Sequence, residues 1–130
     1  MNKRDPKLTV LLFNEAINNR NIDILADLMT DDHKFIDRKN EVTSPKQAMV
    51  KGWKEFFDNF PEYHNYFPRI ESREETVIIL GYAIWKKGGK KDHAIWVAKV
   101  QNDCVAEWRI YEDTEENRKK LLEMLGAFSA

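Results

Sequence analysis

Apolar residues recur at intervals of three and four through the first part of the chain, then at every second position through most of the remainder. The first period is that of helices and the second that of strands. Asp5 and Pro6 read as a cap and a first helical residue. The helix they open runs to about Asn19, with Leu8, Leu11, Leu12, Phe13, Ala16 and Ile17 as a wide apolar stripe. Asn21 caps a short second helix over residues 22–29. Ser44-Pro45-Lys46-Gln47 offers a cap, a proline for the first turn and a glutamine to close a capping box. A third helix follows, with Met49, Gly52, Trp53, Phe56, Phe57 and Phe60 on one face, and Pro61 ends it.

Beyond Pro61 the chain reads as four extended segments, 63–72, 76–85, 92–101 and 104–111. Arg73-Glu74-Glu75, Lys87-Gly88-Gly89-Lys90 and Asn102-Asp103 are short connections that fit an antiparallel meander. Asp113-Thr114-Glu115-Glu116 then opens a last helix, with Asp113 and Glu116 as a capping box. Leu121, Met124, Leu125 and Phe128 lie on one side of it, and it stops near Gly126 over an end of the sheet. Helices first and strands later predict an α+β chain, and residues 1–130 read as a single domain.

Alternation divides the sheet into two faces of different character. One carries Ile79, Gly81, Ala83, Ala94, Trp96, Ala98, Ala106, Trp108 and Ile110. The other carries Ile78, Leu80, Tyr82, Ile84, Ile95, Val97, Lys99, Val105, Glu107 and Arg109. Small residues beside tryptophans predict recesses for a ligand on the first face, against a competing reading in which they admit a close-packed helix. The second face is too apolar in its first strands for water. No segment is left to cover it, so a second copy of the chain is expected there, as a homodimer through the outer sheet face.

Composition narrows the function. The 130 residues carry a net charge of -1 with both signs interspersed, which gives no footprint for nucleic acid or an anionic membrane. The basic run Lys86, Lys87, Lys90, Lys91 reads as a solvated hairpin tip. Cys104 is the only cysteine, so no internal disulfide forms, and no zinc-ligand spacing is present. No signal-like start and no apolar run of about 20 residues appear, so a cytoplasmic location and no membrane span are expected.

The segment Asp31-Asp32-His33-Lys34-Phe35-Ile36-Asp37 follows Ala16-Ile17-Asn18-Asn19-Arg20-Asn21-Ile22-Asp23 and precedes the aromatic helix. With Gly52-Trp53, Phe57, Phe60-Pro61-Glu62-Tyr63 and the closing Glu107-Trp108-Arg109-Ile110-Tyr111-Glu112-Asp113, it resembles the nuclear transport factor 2-like superfamily, in its SnoaL-like and ketosteroid isomerase-like branch. The resemblance runs from about Leu8 to Gly126. It implies a cone-shaped fold in which a curved antiparallel or mixed sheet wraps around N-terminal helices, with a C-terminal helix added. It also implies a dimer through the sheet, and no metal or organic cofactor.

By the same resemblance, Asp37 falls where ketosteroid isomerase-like members carry the carboxylate that moves a proton between two carbons. Such a base works in a dry site, which raises its proton affinity towards the working pH. Read locally, Asp37-Arg38-Lys39-Asn40 is also a polar bend between strands. The family's enolate donors are missing, because Phe13 matches the tyrosine position and Trp96, with one indole N–H, lies near the aspartate position. Ketosteroid isomerisation by that route is therefore not expected. His33 shares the parity of Asp37 as a proton shuttle or a surface histidine, and Glu112 shares that of Trp108 as an auxiliary acid or a solvated strand end. Asp113 matches the acid/base of cyclase-like members, beside its simpler reading as a helix cap.

Phe13, Phe35, Trp53, Phe57, Phe60, Tyr63, Trp96 and Trp108 are the expected walls for a small apolar or aromatic molecule, with Tyr63 and Tyr66 at the rim. Two classes of function remain at this level. One is a cofactor-independent isomerase, cyclase or hydratase with Asp37 as base; the other is a binding module without chemistry.

Overall fold

In a computed structural model that describes residues 3–124 and 126, the helical period of the first part becomes two helices against a sheet. α1 spans Pro6–Asn18 and α2 spans Ile22–Asp27. The Asp5 side chain accepts from the Lys7 N–H and Asn21 from the Ile24 N–H, satisfying donors that a first helical turn leaves open. The buried stripe of α1 is Thr9, Val10, Phe13, Asn14, Ala16 and Ile17. Leu8 and Leu11 are exposed instead: the apolar residues of this helix spread over more than half its circumference, and only one arc can face the sheet.

β1 (Met29–Ile36) follows at once, turns through residues 37–41 and pairs with the two-residue β2 (Val42–Thr43). α3 (Lys46–Asn59) buries Met49, Trp53 and Phe57. The expected capping box does not form. The Ser44–Pro45 peptide is cis, and Pro45, which has no side-chain donor or acceptor, occupies the cap position one residue before the first helical turn.

β3 (His64–Arg73), β4 (Thr76–Ile84), β5 (Asp92–Gln101) and β6 (Cys104–Glu112) form the meander, and β1 joins β6 in parallel. The sheet is therefore mixed, in the order β2-β1-β6-β5-β4-β3. Asn102 and Asp103, both at positive φ, make the two-residue β5–β6 turn, as the hairpin twist favours. Together with its helices, this open curved sheet makes the α+β cone anticipated above.

The inner face buries Val77, Ile79, Ala83, Ala94, Trp96, Ala98 and Trp108 against α1 and α3, following the alternation. The register shift between Lys99 and Val100 places one extra residue in β6 ahead of Glu107, so Val105 joins the inner core while Trp108 and Ile110 keep the face that the alternation gives them. The apolar part of the outer face has a cover within the chain. α4 (Glu115–Met124) lays Leu121 and Leu122 on Ile78, Leu80, Ile95 and Val97, and all six are at most 7% exposed. Burying each of those leucines stabilises the helix by about 2 kcal/mol. Met124, expected on the buried side, is exposed, and Leu125 and Phe128 lie outside the described residues.

Thr114, not Asp113, caps α4 by accepting from the Asn117 N–H. Asp113 takes a two-pronged bond from Arg118, at 2.5 and 2.8 Å. That guanidinium holds the Asp113 carboxyl below the ordinary carboxylate range. No helix among the described residues is long and apolar enough to cross a membrane.

Candidate functional site

Between α3 and the inner sheet face lies a cavity of about 510 Å³. Its walls are mostly aromatic: Phe35 from β1, Trp53 and Phe56 from α3, Tyr63 just before β3, Trp85 just after β4, Trp96 from β5 and Trp108 from β6. Met49, Gly52 and Ile110 complete the apolar lining. Asp37, Arg38, Lys39, Glu41 and Thr43 of the β1–β2 hairpin supply a polar side. Trp53 stands edge-on to Phe35 and Phe56, and Tyr63 edge-on to Phe56 and Trp85, so the rings brace one another.

Of the residues expected at a site, Asp37, Phe35, Trp53, Tyr63, Trp96 and Trp108 meet at this cavity. The others lie elsewhere. Phe13 is buried under the sheet, with its ring 4.7 Å from that of Trp108. Phe57 faces the other side of α3, where the Arg20 guanidinium lies 5.8 Å above its ring. Phe60 ends the helix, partly exposed against Trp85. Glu112 is exposed at the end of β6 and accepts from Arg38 at 3.3 Å. Tyr66, expected at the rim, stacks on Tyr82 on the outer face.

Asp37 does two things at once. Its Oδ1 accepts from the backbone N–H groups of Lys39 and Glu41, at 2.8 and 3.0 Å, which organises the tight hairpin turn. Its Oδ2 makes no hydrogen bond to the described residues. The bend reading and the pocket reading of this residue are thus both present in the geometry.

Two buried polar side chains stand in the walls: Tyr63, expected there, and Asn65, which the period of the strands did not mark. Tyr63 is only 6% exposed, and burial pushes its phenol well above the ordinary tyrosine range. The Asp92 charge adds to that, while Arg38 and the bonded Asn65 side chain pull the other way. The phenol therefore keeps its proton throughout any physiological range. Asn65, two residues on, is 2% exposed and has its backbone fixed by α1. Its N–H donates to Asn18 Oδ1 at 2.8 Å, and its carbonyl accepts from Asn18 and Asn14. No local signal marks Asn65, because the asparagines that hold it come from a helix far away in sequence.

His33 lies outside the cavity and is fully buried. Val105's carbonyl, 2.7 Å from Nδ1, can only accept, so Nδ1 carries the hydrogen and Nε2 is a bare acceptor with no partner. Burial pushes the His33 pKa below its usual 6.5, against the Val105 bond and the charges of Asp32 and Glu107. A depressed histidine pKa means that the unfolded chain binds the proton first as the medium acidifies. This contribution to stability is whole above 6.5 and is lost as pH falls below it, towards the folded pKa. His64, also lowered by burial and by Arg20, acts in the same window. Denaturant unfolding of the wild type should show stability falling between about pH 7 and pH 5. His33→Leu should be less stable at the upper pH but should decline less steeply; equal slopes would remove this role for His33.

Among the described residues, no cluster of histidine, cysteine, aspartate and glutamate has the placement to hold a metal ion. An apolar chamber with a phenol, an amide and a carboxylate in its walls suits an organic ligand. The architecture defines a cone-fold protein with an aromatic-walled cavity open on one side. The sequence pattern of the SnoaL-like domain matches residues 10–115, and the chain belongs to that family.

Solved structures agree in fold. One is an uncharacterized cystatin-fold protein from Novosphingobium aromaticivorans, 16% identical, with a TM-score of 0.76 over 84% of this chain and 99% of that one. A nuclear transport factor 2-like protein of unknown function from Cytophaga hutchinsonii is 11% identical, with a TM-score of 0.72 over 90% and 97%. A candidate SnoaL-like polyketide cyclase from Shewanella putrefaciens is 14% identical, with a TM-score of 0.74 over 92% and 86%. Among proteins of curated function, none matches this sequence.

Proposed function

We propose that the protein binds a flat, largely apolar, carbonyl-bearing small molecule in the cavity and that Asp37 moves a proton on it, without a cofactor. The observation that carries this reading is a carboxylate on the polar side of a chamber whose facing walls are Phe35, Trp53, Phe56, Trp96 and Trp108. Burial of the ligand there excludes water, which strengthens a carboxylate as a base. Asp37 takes a proton from a carbon next to the carbonyl, and the C–H electron pair moves into an enolate. The proton returns at a second carbon, as in an isomerase, or the enolate carbon adds to a second carbonyl of the same molecule, breaking its C=O π bond, and the alkoxide formed takes the proton back from Asp37, as in a cyclase.

The enolate oxygen needs a donor, and Tyr63 supplies it in place of the tyrosine that Phe13 lacks. Its phenol stays protonated and lies in the same lining. His33 and Glu112, weighed above as auxiliary groups, do not line the cavity, so this mechanism runs on Asp37 and Tyr63. The similarity to a candidate polyketide cyclase supports a substrate of this general kind.

A second reading, ligand binding without chemistry, is favoured by the turn that already engages Asp37 Oδ1. Incubation with enolisable aryl ketones in deuterated water separates the two. Loss of a general base costs a hundredfold or more, on the order of general acid–base contributions. Asp37→Asn should therefore reduce deuterium incorporation by at least that factor while still binding the ketone. Equal incorporation in wild type and variant would leave only the binding reading.

A further inference from the structure

Beside the main cavity lies a second recess, of about 440 Å³, lined by Phe60, Trp85, Lys86, Gly89, Lys90 with Lys91 and Asp92. Trp85 lines both spaces. Its indole N–H donates to Asp92 Oδ2 at 2.9 Å, and Arg38, from the polar side of the main cavity, donates to the same oxygen at 3.0 Å. Asp92 is thus engaged by Arg38, which also reaches Glu112, and it faces three lysines in the recess. The recess therefore presents chiefly positive charge.

Four lysines, 86, 87, 90 and 91, crowd into this one hairpin of a chain whose net charge is -1. None makes an ion pair with a carboxylate among the described residues. The one carboxylate that meets the hairpin besides Asp92 is Glu62, which accepts the backbone N–H of Lys87 at 3.2 Å. Lys91 Nζ also lies 4.8 Å above the Tyr82 ring, which shares its charge with the outer face.

The turn brings the lysines together. Gly88 has a φ of +76°, and a Cβ on Gly89 would lie 2.9 Å from the Lys86 carbonyl oxygen. This tight return sets Lys86 and Lys90 along one recess. Like charges gathered on one hairpin repel one another, and an anion among them relieves that repulsion.

We infer that the recess is an anion subsite. The ligand of the main cavity carries a carboxylate or phosphate that passes the edge of Trp85 and rests among Lys86, Lys90 and Lys91. This inference rests on the small-molecule reading of the main cavity and adds an amphipathic ligand to it. Exposed ammonium groups gain modestly from one anion each, and the gain is screened within about 8 Å at physiological salt. The expected preference is therefore about tenfold at low salt and smaller in high salt.

Naphthol, naphthoate and naphthyl phosphate share one flat body, so equilibrium dialysis with the three isolates the anion. The wild type should bind one or both anions about tenfold more tightly than naphthol at low ionic strength, with the gap closing as salt is added. The better of the two anions identifies the group. Lys86→Gln with Lys90→Gln should abolish the preference and leave naphthol binding unchanged. Naphthol bound as tightly as both anions would overturn the subsite while the cavity stands. A preference that survives in the double variant would also overturn it. Binding of none of the three would overturn the cavity reading and the subsite with it.

Discussion

Gly81→Ala should destabilise the protein by about 3 kcal/mol, more than a single added methyl group normally costs in a core. A Cβ at this position would lie 2.1 Å from the Tyr66 carbonyl oxygen, 3.2 Å from the Tyr66 carbonyl carbon and 3.2 Å from Pro68 Cδ. Two of those three atoms are backbone. The strand they belong to is already shifted in register between Tyr66 and Arg69, opposite Gly81 on β4, so relief requires moving β3 itself. A flexible neighbour could rotate away, but a carbonyl inside a sheet cannot. Denaturant unfolding of wild type and variant measures the difference, and a loss under about 0.5 kcal/mol would show that β3 yields freely.

Gly81 also shows where reading by alternation stops. Its place on the inner face is visible from the period of two, and its smallness suggests a recess for a ligand. The recess is filled by the bulged backbone of β3, and Gly81 is absent from the cavity lining. A bulge adds one residue and leaves no mark in the hydrophobic pattern. Val105 crossed to the inner face for the same reason.

What was legible came from long periodic segments. The aromatic face of α3, the meander and the inward set Ala83, Ala94, Trp96, Ala98 and Trp108 all follow from spacing; Trp53, Phe56, Trp96 and Trp108 of these wall the chamber, and the alanines pack in the core beside it. What was not legible depends on partners distant in the chain. Leu121 and Leu122 cover Ile78, Leu80, Ile95 and Val97, strand residues at least 24 positions back along the chain. Asn65 reaches the cavity wall because Asn14 and Asn18 hold its backbone. Asp37 was readable both as a turn residue and as a pocket residue; its Oδ1 holds the turn, and the residue lines the cavity.

The second large effect belongs to Gly52, the one position in α3 where the cavity begins at the helix backbone. A Cβ there would meet only Met49, at 3.9 Å to its sulfur and 4.0 Å to its methyl carbon, which is ordinary contact. A side chain can therefore leave the helix at this lining position, and a phenylalanine built there takes up space in the cavity. Helix stability should not suffer, since glycine is about 0.5 kcal/mol or more worse than most residues inside a helix. Gly52→Phe consequently separates occupancy of the chamber from integrity of the fold. That separation is unavailable at Trp53 or Trp96, whose burial makes them part of the core.

Tryptophan fluorescence with a panel of flat aryl ketones, run on the wild type and on Gly52→Phe, is the most direct test of the chamber as the binding site. Saturable quenching in the wild type is expected, because Trp53, Trp85, Trp96 and Trp108 all line the space. The variant should unfold at the same or higher denaturant concentration yet bind at least tenfold more weakly. Ligands that bind the folded variant as tightly as the wild type, or that fail to quench either protein, would contradict the account.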